Sequence, residues 1–334
     1  MKLKKKIFKN KDFKKILFFL KKFTLKSFEN PKKTDLYMRF FELKPLLKRI
    51  PEDYIKSKVK DHLRTVSKIE SKPFVAESSD LCRLHWTVLS GKIINTLEFG
   101  SGFSTVFIAD AKFILNYYFK DLKNMRYEKM FHVYSVEEDK NYLKTTQKRI
   151  PDYLKKHVSL SYDKIDVITY KERFASKYRN LPNISPDLIY LDAPSIYFTK
   201  KTFKGFSFLP INRVPMSADV LFIEYFLEPG TKIIVDGRTA NANFLKDHFN
   251  RNWKYRHDFK GDCHYFELID TPWGKYNIDK SVIEQSASLN GQPVSVDESA
   301  RAKRPIIEFN KGLKLFDFGT QTKTNVNLLD THTK

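Results

Sequence analysis

Short apolar runs alternate with helical patterns from about residue 75 to residue 277. The clearest run is Leu188 to Leu191, which has the length of a buried strand, and Lys232 to Val235 is another. Residues 78–92 place several leucines along one helical face ahead of the first strand. Strands that alternate with helices predict an α/β domain built on a largely parallel sheet.

Both ends of the chain follow different patterns. Apolar residues at positions 13–23 recur near helical spacing with lysines between them, and the longest uninterrupted apolar run is Ile16 to Leu20. This run is too short for a signal peptide or a membrane span. The pattern has two interpretations: an amphipathic helix on an anionic membrane surface, or a helix that packs its apolar stripe on the main domain. Residues 281–334 are polar, and we predict an extension that wraps the domain or is partly disordered.

The distribution of charge along the chain predicts an anionic partner. The net charge is +22, and residues 1–70 hold 22 Lys and Arg against 8 Asp and Glu, which is +14 of the total. Nucleic acid, membrane lipid and an acidic glycan all suit such a region. Cys82 and Cys263 match no metal or redox spacing, so we expect reduced thiols in a cytosolic protein, with one long-range disulfide as the alternative. The predicted domains are residues 1–74, 75–280 and 281–334.

A glycine turn lies between the first predicted strand and the next helix, in IINTLEFGSGFSTVFIAD (residues 93–110). Gly100 and Gly102 can take positive φ and carry no Cβ, so a ligand can lie directly on the backbone. Ser104 and Thr105 are suited to cap the following helix, whose free N–H groups face the same crevice.

Acidic residues close four of the predicted strands. In chain order they are Glu98, Glu137, Asp192 and Asp236. In an open α/β sheet, ligands bind outside the carboxyl ends of the strands, so these side chains are expected to share one site.

These motifs resemble those of a known enzyme family. The order E-x-G-x-G-x-S from Glu98 to Ser104 resembles motif I of class I S-adenosylmethionine-dependent methyltransferases, and D-L-I-x-x-D-x-P from Asp187 to Pro194 resembles motif IV. The resemblance covers residues 75–277 and is greatest to bacterial members that carry D-G-R after the fifth strand, here Asp236 to Arg238. It implies a Rossmann-like sheet of seven strands, mostly parallel with a C-terminal antiparallel hairpin, with helices on both faces, behind a basic helical N-terminal extension.

The resemblance also implies a cofactor, S-adenosyl-L-methionine (SAM), and roles for the site residues. Glu98 would hold the cofactor's ammonium group. An acid at the end of the second strand binds a ribose in nucleotide-binding α/β folds, so Glu137, with Glu138 as the second choice, is expected to bind the ribose hydroxyls. Asp192 would be the base for O-methylation of a small-molecule or glycan acceptor by direct methyl displacement, oriented with Asp236 and Arg238. His85 and His264 are reserve candidates. The predicted cofactor-binding residues are Glu98, Gly100, Ser101, Gly102, Ser104, Thr105, Glu137 and Asp192.

The sequence does not predict a bound metal ion. Asp192 and Asp236 resemble the Mg²⁺ ligands of catechol O-methyltransferase-like enzymes, but Gly237 stands where that family has Asn. The cofactor prediction therefore contains no metal.

Two further functions stay open at this point. The first is an NAD(P)-dependent Rossmann enzyme, although Thr105 replaces the third glycine of its G-x-G-x-x-G fingerprint. The second is a non-catalytic scaffold that binds nucleic acid or membrane through the basic N-terminus. Nucleic acid is the less favoured partner, because D-A-P-S at residues 192–195 differs from the N/D-P-P-Y/F of base-modifying methyltransferases. The predicted location is the cytoplasm, with peripheral attachment to the inner membrane face through residues 1–30.

Overall fold

The computed structural model describes residues 13–47, 77–119, 129–194, 204–205 and 216–271. The α-helices are α1 Phe13–Leu20, α2 Pro31–Phe40, α3 Lys44–Leu47, α4 Ser78–Ser90, α5 Phe103–Phe119, α6 Lys140–Arg149, α7 Asp219–Ile223 and α8 Thr239–His248. Short 3₁₀ helices are Leu25–Glu29, Lys155–His157 and Glu224–Phe226. The strands are β1 Asn95–Phe99, β2 His132–Glu137, β3 Val158–Tyr162, β4 Ile165–Tyr170, β5 Arg173–Tyr178, β6 Leu188–Leu191, β7 Lys232–Asp236, β8 Trp253–Asp258 and β9 Cys263–Leu268.

Seven strands form one sheet in the order β3-β2-β1-β6-β7-β9-β8. Strands β1, β2, β3, β6 and β7 are parallel to one another, whereas β9 runs antiparallel to both β7 and β8. The last two strands therefore form a hairpin at the sheet edge. This confirms the predicted seven-stranded, mostly parallel sheet with a C-terminal antiparallel hairpin.

Each face of the sheet carries its own hydrophobic core. Along β6, Leu188 and Tyr190 belong to one buried cluster, while Ile189 and Leu191 belong to the other. This is the period of two that a strand covered on both faces requires. Helices α4 and α5 contribute to the first cluster, and α7 and α8 to the second. The predicted helices on both faces are confirmed.

The N-terminal helices pack on the first of these cores. Phe13, Ile16, Phe19 and Leu20 form the buried side of α1, and the Phe13 ring meets that of Phe119 at 4.9 Å between centroids. Full burial of such side chains contributes roughly 1.5–3 kcal/mol each. The apolar stripe of α1 therefore covers the domain, as the second interpretation of this helix expects, and its lysines face solvent.

Two elements differ from the predictions. The sequence after Asp139 predicts a helix from Lys140 to Lys156, but α6 ends at Arg149, because Pro151 disfavours helical backbone in the residue before it. The β4–β5 hairpin was not predicted, and it forms a separate two-stranded sheet. Its turn residues Lys171 and Glu172 both have positive φ, 44° and 63°. Such turns are usually marked by Asn-Gly or Asp-Gly, and that signal is absent here.

Several predictions lie outside the described residues. These are the domain boundaries near 74 and 280 and the C-terminal extension from residue 281. Most of residues 195–216 also lie outside; their irregular pattern of aromatic and basic residues predicts a lid or a substrate-binding insertion. Within the described ranges, no helix combines the length and hydrophobicity needed to cross a bilayer.

Candidate functional site

Four acidic residues come together at one edge of the sheet. Glu98 is the fourth residue of β1, Glu137 ends β2, Asp192 follows β6 directly, and Asp236 ends β7. These four strands are parallel neighbours, so their carboxyl ends meet at the same edge. The common location predicted from their order in the chain is the one observed.

The glycine turn uses its two glycines differently. Gly100 has φ of +95°, and a Cβ there would lie 3.2 Å from the Cβ of Ala193. Gly100 is thus required by backbone conformation and by close packing. Gly102 does not have the positive φ that it could adopt, and a Cβ there would meet no protein atom within 4 Å. Nothing in the described structure requires a glycine at position 102, whereas a ligand on the backbone would.

Glu98 lies beneath this turn and is 1% exposed. Its carboxylate accepts hydrogen bonds from the hydroxyls of Ser104 (2.5 Å), Thr105 (2.6 Å) and Ser135. Ser104 and Thr105 donate to Glu98 from the first turn of α5, and the Thr105 hydroxyl also accepts the Gly102 N–H at 3.0 Å, which is the capping contact predicted for this residue. Burial raises the Glu98 pKa to about 7, against the lowering effect of the three hydroxyls.

This arrangement limits how Glu98 can meet a ligand. Glu98 Oε2 accepts two of these hydrogen bonds and Oε1 accepts one, so one acceptor position of Oε1 remains for a ligand donor. The structure thus places Glu98 as a support of the turn, and its predicted contact with an ammonium group stays a prediction.

Glu137 links the second strand to the same turn. Its Oε2 accepts a hydrogen bond from the Ser101 hydroxyl at 2.8 Å, and its Oε1 accepts one from the Asp139 backbone N–H at 3.0 Å. The side chain is buried, and this burial, together with the charge of Glu138, holds the Glu137 pKa well above its usual range. Asp139 caps α6 by accepting from the Asn141 N–H at 2.7 Å. Ser101 is therefore positioned by Glu137 at the mouth of the turn.

Asp192 is the acid that opens most onto the crevice, and 59% of its side-chain surface is exposed. Its backbone is held by the protein, since the Asp192 N–H donates to the Phe99 carbonyl at 3.2 Å. Partial burial and the nearby charge of Asp236 raise the Asp192 pKa to about 7, and the Arg238 charge opposes the rise. A carboxyl group in this state can exchange a proton near neutral pH.

Arg238 holds the segment that follows β6. Its Nη2 donates hydrogen bonds to the carbonyl oxygens of Asp192 (3.2 Å) and Pro194 (2.8 Å), and its Nε lies 4.0 Å from Asp192 Oδ1. The side chain is 11% exposed. Arg238 therefore fixes the backbone that presents the Asp192 carboxylate.

Asp236 is oriented by two side chains that sequence reasoning missed. One carboxylate oxygen accepts from the Tyr190 hydroxyl, and the other accepts from the Cys263 thiol at 3.2 Å. Tyr190 is the one non-aliphatic residue of β6, which is a signal that could have found it. Cys263 reaches Asp236 through the β7–β9 register, which no local pattern reveals.

The two reserve histidines lie in the core. Both are 0% exposed. His85 is hydrogen-bonded to Tyr37 (2.9 Å) and to Asp110 (3.3 Å), and His264 to Thr239 (3.0 Å) and Tyr255 (2.9 Å). Neither ring is open to the crevice, so their proposed reserve roles are not supported.

Metal ligands and cysteines complete the inventory of this edge. Within the described ranges, no three His, Cys, Asp or Glu side chains converge as a metal site. Cys82 and Cys263 are buried free thiols, so they form no disulfide with each other.

Comparison with known proteins gives only distant structural similarity. No family model and no curated protein matches this chain. An O-methyltransferase from Bacillus cereus in complex with SAH is similar at 13% identity, over 58% of this chain and 82% of that one, with a TM-score of 0.33. A Podospora anserina methyltransferase bound to SAH has 13% identity, over 58% and 80% of the two chains, with a TM-score of 0.34. The fold assignment itself rests on the strand order described above.

Proposed function

We propose that this protein is a SAM-dependent methyltransferase that methylates a hydroxyl group of a small-molecule or glycan acceptor. The observation that carries the proposal is a single edge of the sheet where a glycine turn, open above Gly102, stands beside four acid-bearing strand ends. The motifs at this edge are those that resemble motifs I and IV of the family.

Three features of the turn fit the cofactor. Gly102 leaves open space above the backbone, the first N–H groups of α5 face the turn, and Ser101 with Glu137 forms a polar pair at the next strand end. We assign the cofactor's polar groups to the half of the site at β1 and β2, where Glu98 supports the glycine turn. When bound, SAM supplies a methyl group on a sulfonium centre that is already activated for displacement.

The half of the site at β6 and β7 is assigned to the acceptor. Asp192 removes the proton of the acceptor hydroxyl, for which its open carboxylate and pKa of about 7 are suited. Arg238 keeps the Asp192 segment in place, and Asp236, held by Tyr190 and Cys263, orients the acceptor. Alignment of the reacting groups is the larger part of catalysis in such a displacement.

The site fits a dinucleotide less well. A dinucleotide-binding loop needs its third glycine so that helix and strand can pack closely. Thr105 holds that position, is fully buried, and donates its hydroxyl to Glu98. We therefore favour a methyltransferase over an NAD(P)-dependent enzyme as the function of this protein.

An anionic membrane surface stays a proposed partner of residues 1–30. Because α1 packs its apolar side on the domain, the lysines and the segment before α1 would make this contact. We expect deletion of residues 1–12 to weaken binding to phosphatidylserine vesicles while leaving SAM binding unchanged, as measured by vesicle co-sedimentation and calorimetry. Equal vesicle binding by the deletion variant would refute the membrane proposal.

Turnover tests the proposed function. The full-length protein is incubated with SAM and a panel of catechols, sugars and amino sugars, and S-adenosylhomocysteine (SAH) is quantified by mass spectrometry. We expect SAH to form in the presence of at least one hydroxylated acceptor and the acceptor to gain one methyl group. Absence of both turnover and SAM binding would overturn the proposal.

A further inference from the structure

Two apolar side chains of the N-terminal helices are exposed, outside the core that these helices cover. Phe18 of α1 is 65% exposed and Leu36 of α2 is 47% exposed. Each helix already buries another side against the domain, with Phe19 on α1 and Tyr37 on α2 among the buried residues. Because single exposed apolar residues are common at protein surfaces, the surroundings of these two decide what they mean.

Lysines surround Phe18 on the outer side of α1. Residues three and four positions apart are neighbours on a helix surface, and positions 14, 15, 21 and 22 are all exposed lysines. Lys22 Nζ lies 4.8 Å from the centroid of the Phe18 ring. The sequence from residue 13 to residue 28 contains no Asp or Glu. The outer side of α1 therefore presents an aromatic ring within a region of positive charge.

Leu36 has a similar setting on α2. Lys32 and Lys33 precede it by four and three positions, and Arg39 follows it by three. The acid of this helix, Asp35, is paired with Arg39 at 2.8 Å and with Lys44 at 2.7 Å. The positive charge of Lys32 and Lys33 is therefore the charge that this side of α2 presents outward.

The outer sides of the two helices adjoin. Phe19, next to Phe18, and Phe40, one turn after Leu36, stack their rings at 3.6 Å between centroids. This contact holds α1 and α2 side by side. The exposed residues of α1 and α2 around Phe18 and Leu36 form the N-terminal basic face.

An anionic bilayer fits this face better than a nucleic acid does. Lysines can bind the phosphate groups of either partner. Single strands of nucleic acid are held by aromatic rings that stack on bases, and an aliphatic side chain such as Leu36 cannot stack in this way. Both Phe18 and Leu36 gain free energy when they enter the boundary between lipid headgroups and acyl chains. Exposed apolar residues with lysines beside them are typical of helices that lie on a membrane surface.

The N-terminal basic face borders the acceptor half of the site. Lys32 and Lys33 line a surface cleft together with Glu29 and Pro31. Glu29 and Pro31 also line a cavity of about 930 Å³ that reaches Asp236, the last residue of β7. A membrane against this face would therefore lie beside the β7 end of the site.

We infer that the protein docks on an anionic membrane through the N-terminal basic face, with Phe18 and Leu36 in the lipid and the β7 end of the site at the membrane surface. This extends the membrane contact proposed for residues 1–30 from charge alone to apolar side chains of the folded helices. The clause on the site rests on the proposed function, which assigns the β7 end to the acceptor.

Insertion is tested with a fluorescent label on the full-length protein. Cys82 and Cys263 are buried, so the new thiol of Phe18→Cys can be labelled selectively with a polarity-sensitive fluorophore. We expect its emission to shift to the blue with vesicles of equal parts phosphatidylserine and phosphatidylcholine, and not with phosphatidylcholine alone. The control is Phe226→Cys, at a residue that is 75% exposed and has no lysine three or four positions away. Its emission should not shift.

Co-sedimentation with the same vesicles measures the strength of docking. Phe18→Ser/Leu36→Ser removes both apolar side chains and keeps every lysine, so we expect vesicle binding to weaken about tenfold. Tyr225→Ser/Phe226→Ser removes another exposed pair and should bind as the wild type does. Both pairs are exposed, so both variants should keep the wild-type Tm in circular dichroism.

The orientation is tested at two lysine positions. Lys260 lines the cavity that reaches Asp236, whereas Lys246 lies on α8, whose buried residues belong to the core on the other face of the sheet. Fluorophores are attached to Lys260→Cys and Lys246→Cys, and the vesicles carry a nitroxide on their lipid headgroups. We expect quenching of the label on Lys260→Cys and none on Lys246→Cys.

Each result decides one part of the inference. An unshifted label on Phe18→Cys, or wild-type vesicle binding by Phe18→Ser/Leu36→Ser, would overturn the insertion even where deletion of residues 1–12 abolishes binding. Equal quenching at the two lysine positions would overturn the orientation. Binding of a single-stranded RNA probe in place of vesicles would assign the face to nucleic acid. SAH affinity, measured by calorimetry, should stay at the wild-type value in every variant, and it reports on the proposed function separately.

Discussion

The two halves of the strand-end edge are built in opposite ways. At β1 and β2, Glu98 and Glu137 are buried and their oxygens accept hydrogen bonds from the protein's own hydroxyl and N–H groups. At β6 and β7, Asp192 is 59% exposed, and Asp236 is partly exposed although both of its oxygens accept hydrogen bonds. Carboxylates thus serve as buried structural support at β1 and β2, and Asp192 is the most accessible of the four.

This difference indicates a division of work within the site. Buried carboxylates that accept several hydrogen bonds from the protein hold the glycine turn in one shape, which suits the part of the site that binds the same cofactor in every cycle. An open carboxylate with a raised pKa suits the half where a proton moves. Mutations in the first half should therefore change stability and cofactor affinity, and mutations in the second half should change turnover.

The largest expected effect is on turnover, in the half of the site at β6 and β7. Asp192→Asn keeps the side-chain shape but removes the base, so we expect kcat/KM with the acceptor identified in the panel to fall about 10²–10⁴-fold. SAH affinity, measured by calorimetry, should not change. Asp152→Asn, at an exposed position, is the control for charge removal. A wild-type rate in Asp192→Asn would remove Asp192 from its proposed role.

The next largest expected effect is on the free energy of unfolding, in the half of the site at β1 and β2. Glu98→Ala leaves the hydroxyls of Ser104, Thr105 and Ser135 without their acceptor. We expect the free energy of unfolding in urea to fall by about 2–4 kcal/mol, because each buried polar group without a partner costs about 1–3 kcal/mol. SAH affinity should fall with it. Glu98→Gln, which retains an acceptor, should be less destabilised, and equal losses would contradict this account.

The pH dependence of turnover separates the halves further. Since Asp192 works as a base only when ionised and its pKa is raised from 3.8 to about 7, the group is largely protonated below pH 7. We expect kcat/KM to rise about tenfold per pH unit below this pKa and to level off above it. The rising limb should be absent from the residual activity of Asp192→Asn. A flat profile in the wild-type enzyme would contradict the assignment.

The smallest effects distinguish the two glycines. Gly102→Ala adds a methyl group to open space, so we expect unfolding free energy to stay within about 0.5 kcal/mol of the wild-type value. SAH affinity should fall about tenfold, because the added methyl group occupies the ligand's place. Gly100→Ala should instead lose about 1–2 kcal/mol of stability, since an alanine is strained at a φ of +95°. The reverse pattern would place the ligand elsewhere.

Local sequence patterns predicted an α/β domain and the acids at the strand ends, whereas the seven-stranded sheet with its antiparallel hairpin was implied by the family resemblance. A buried strand such as Leu188–Leu191 consists of consecutive apolar residues, and the acid at its end is the next residue in the sequence, Asp192. The β4–β5 hairpin was missed because its turn uses Lys171 and Glu172 in a glycine-like conformation. The support of Asp236 by Cys263 depends on strand register, and the buried state of Glu98 depends on Ser135 of a neighbouring strand, so neither could be read from local spacing.

Calorimetric titration of the wild-type protein with SAM, SAH and NAD tests the central claim most directly. The account predicts that SAM and SAH bind at one site per chain, that Gly102→Ala weakens both, and that NAD does not bind. Binding of NAD, or no binding of either SAM or SAH, would show that this sheet edge is not a methyltransferase cofactor site.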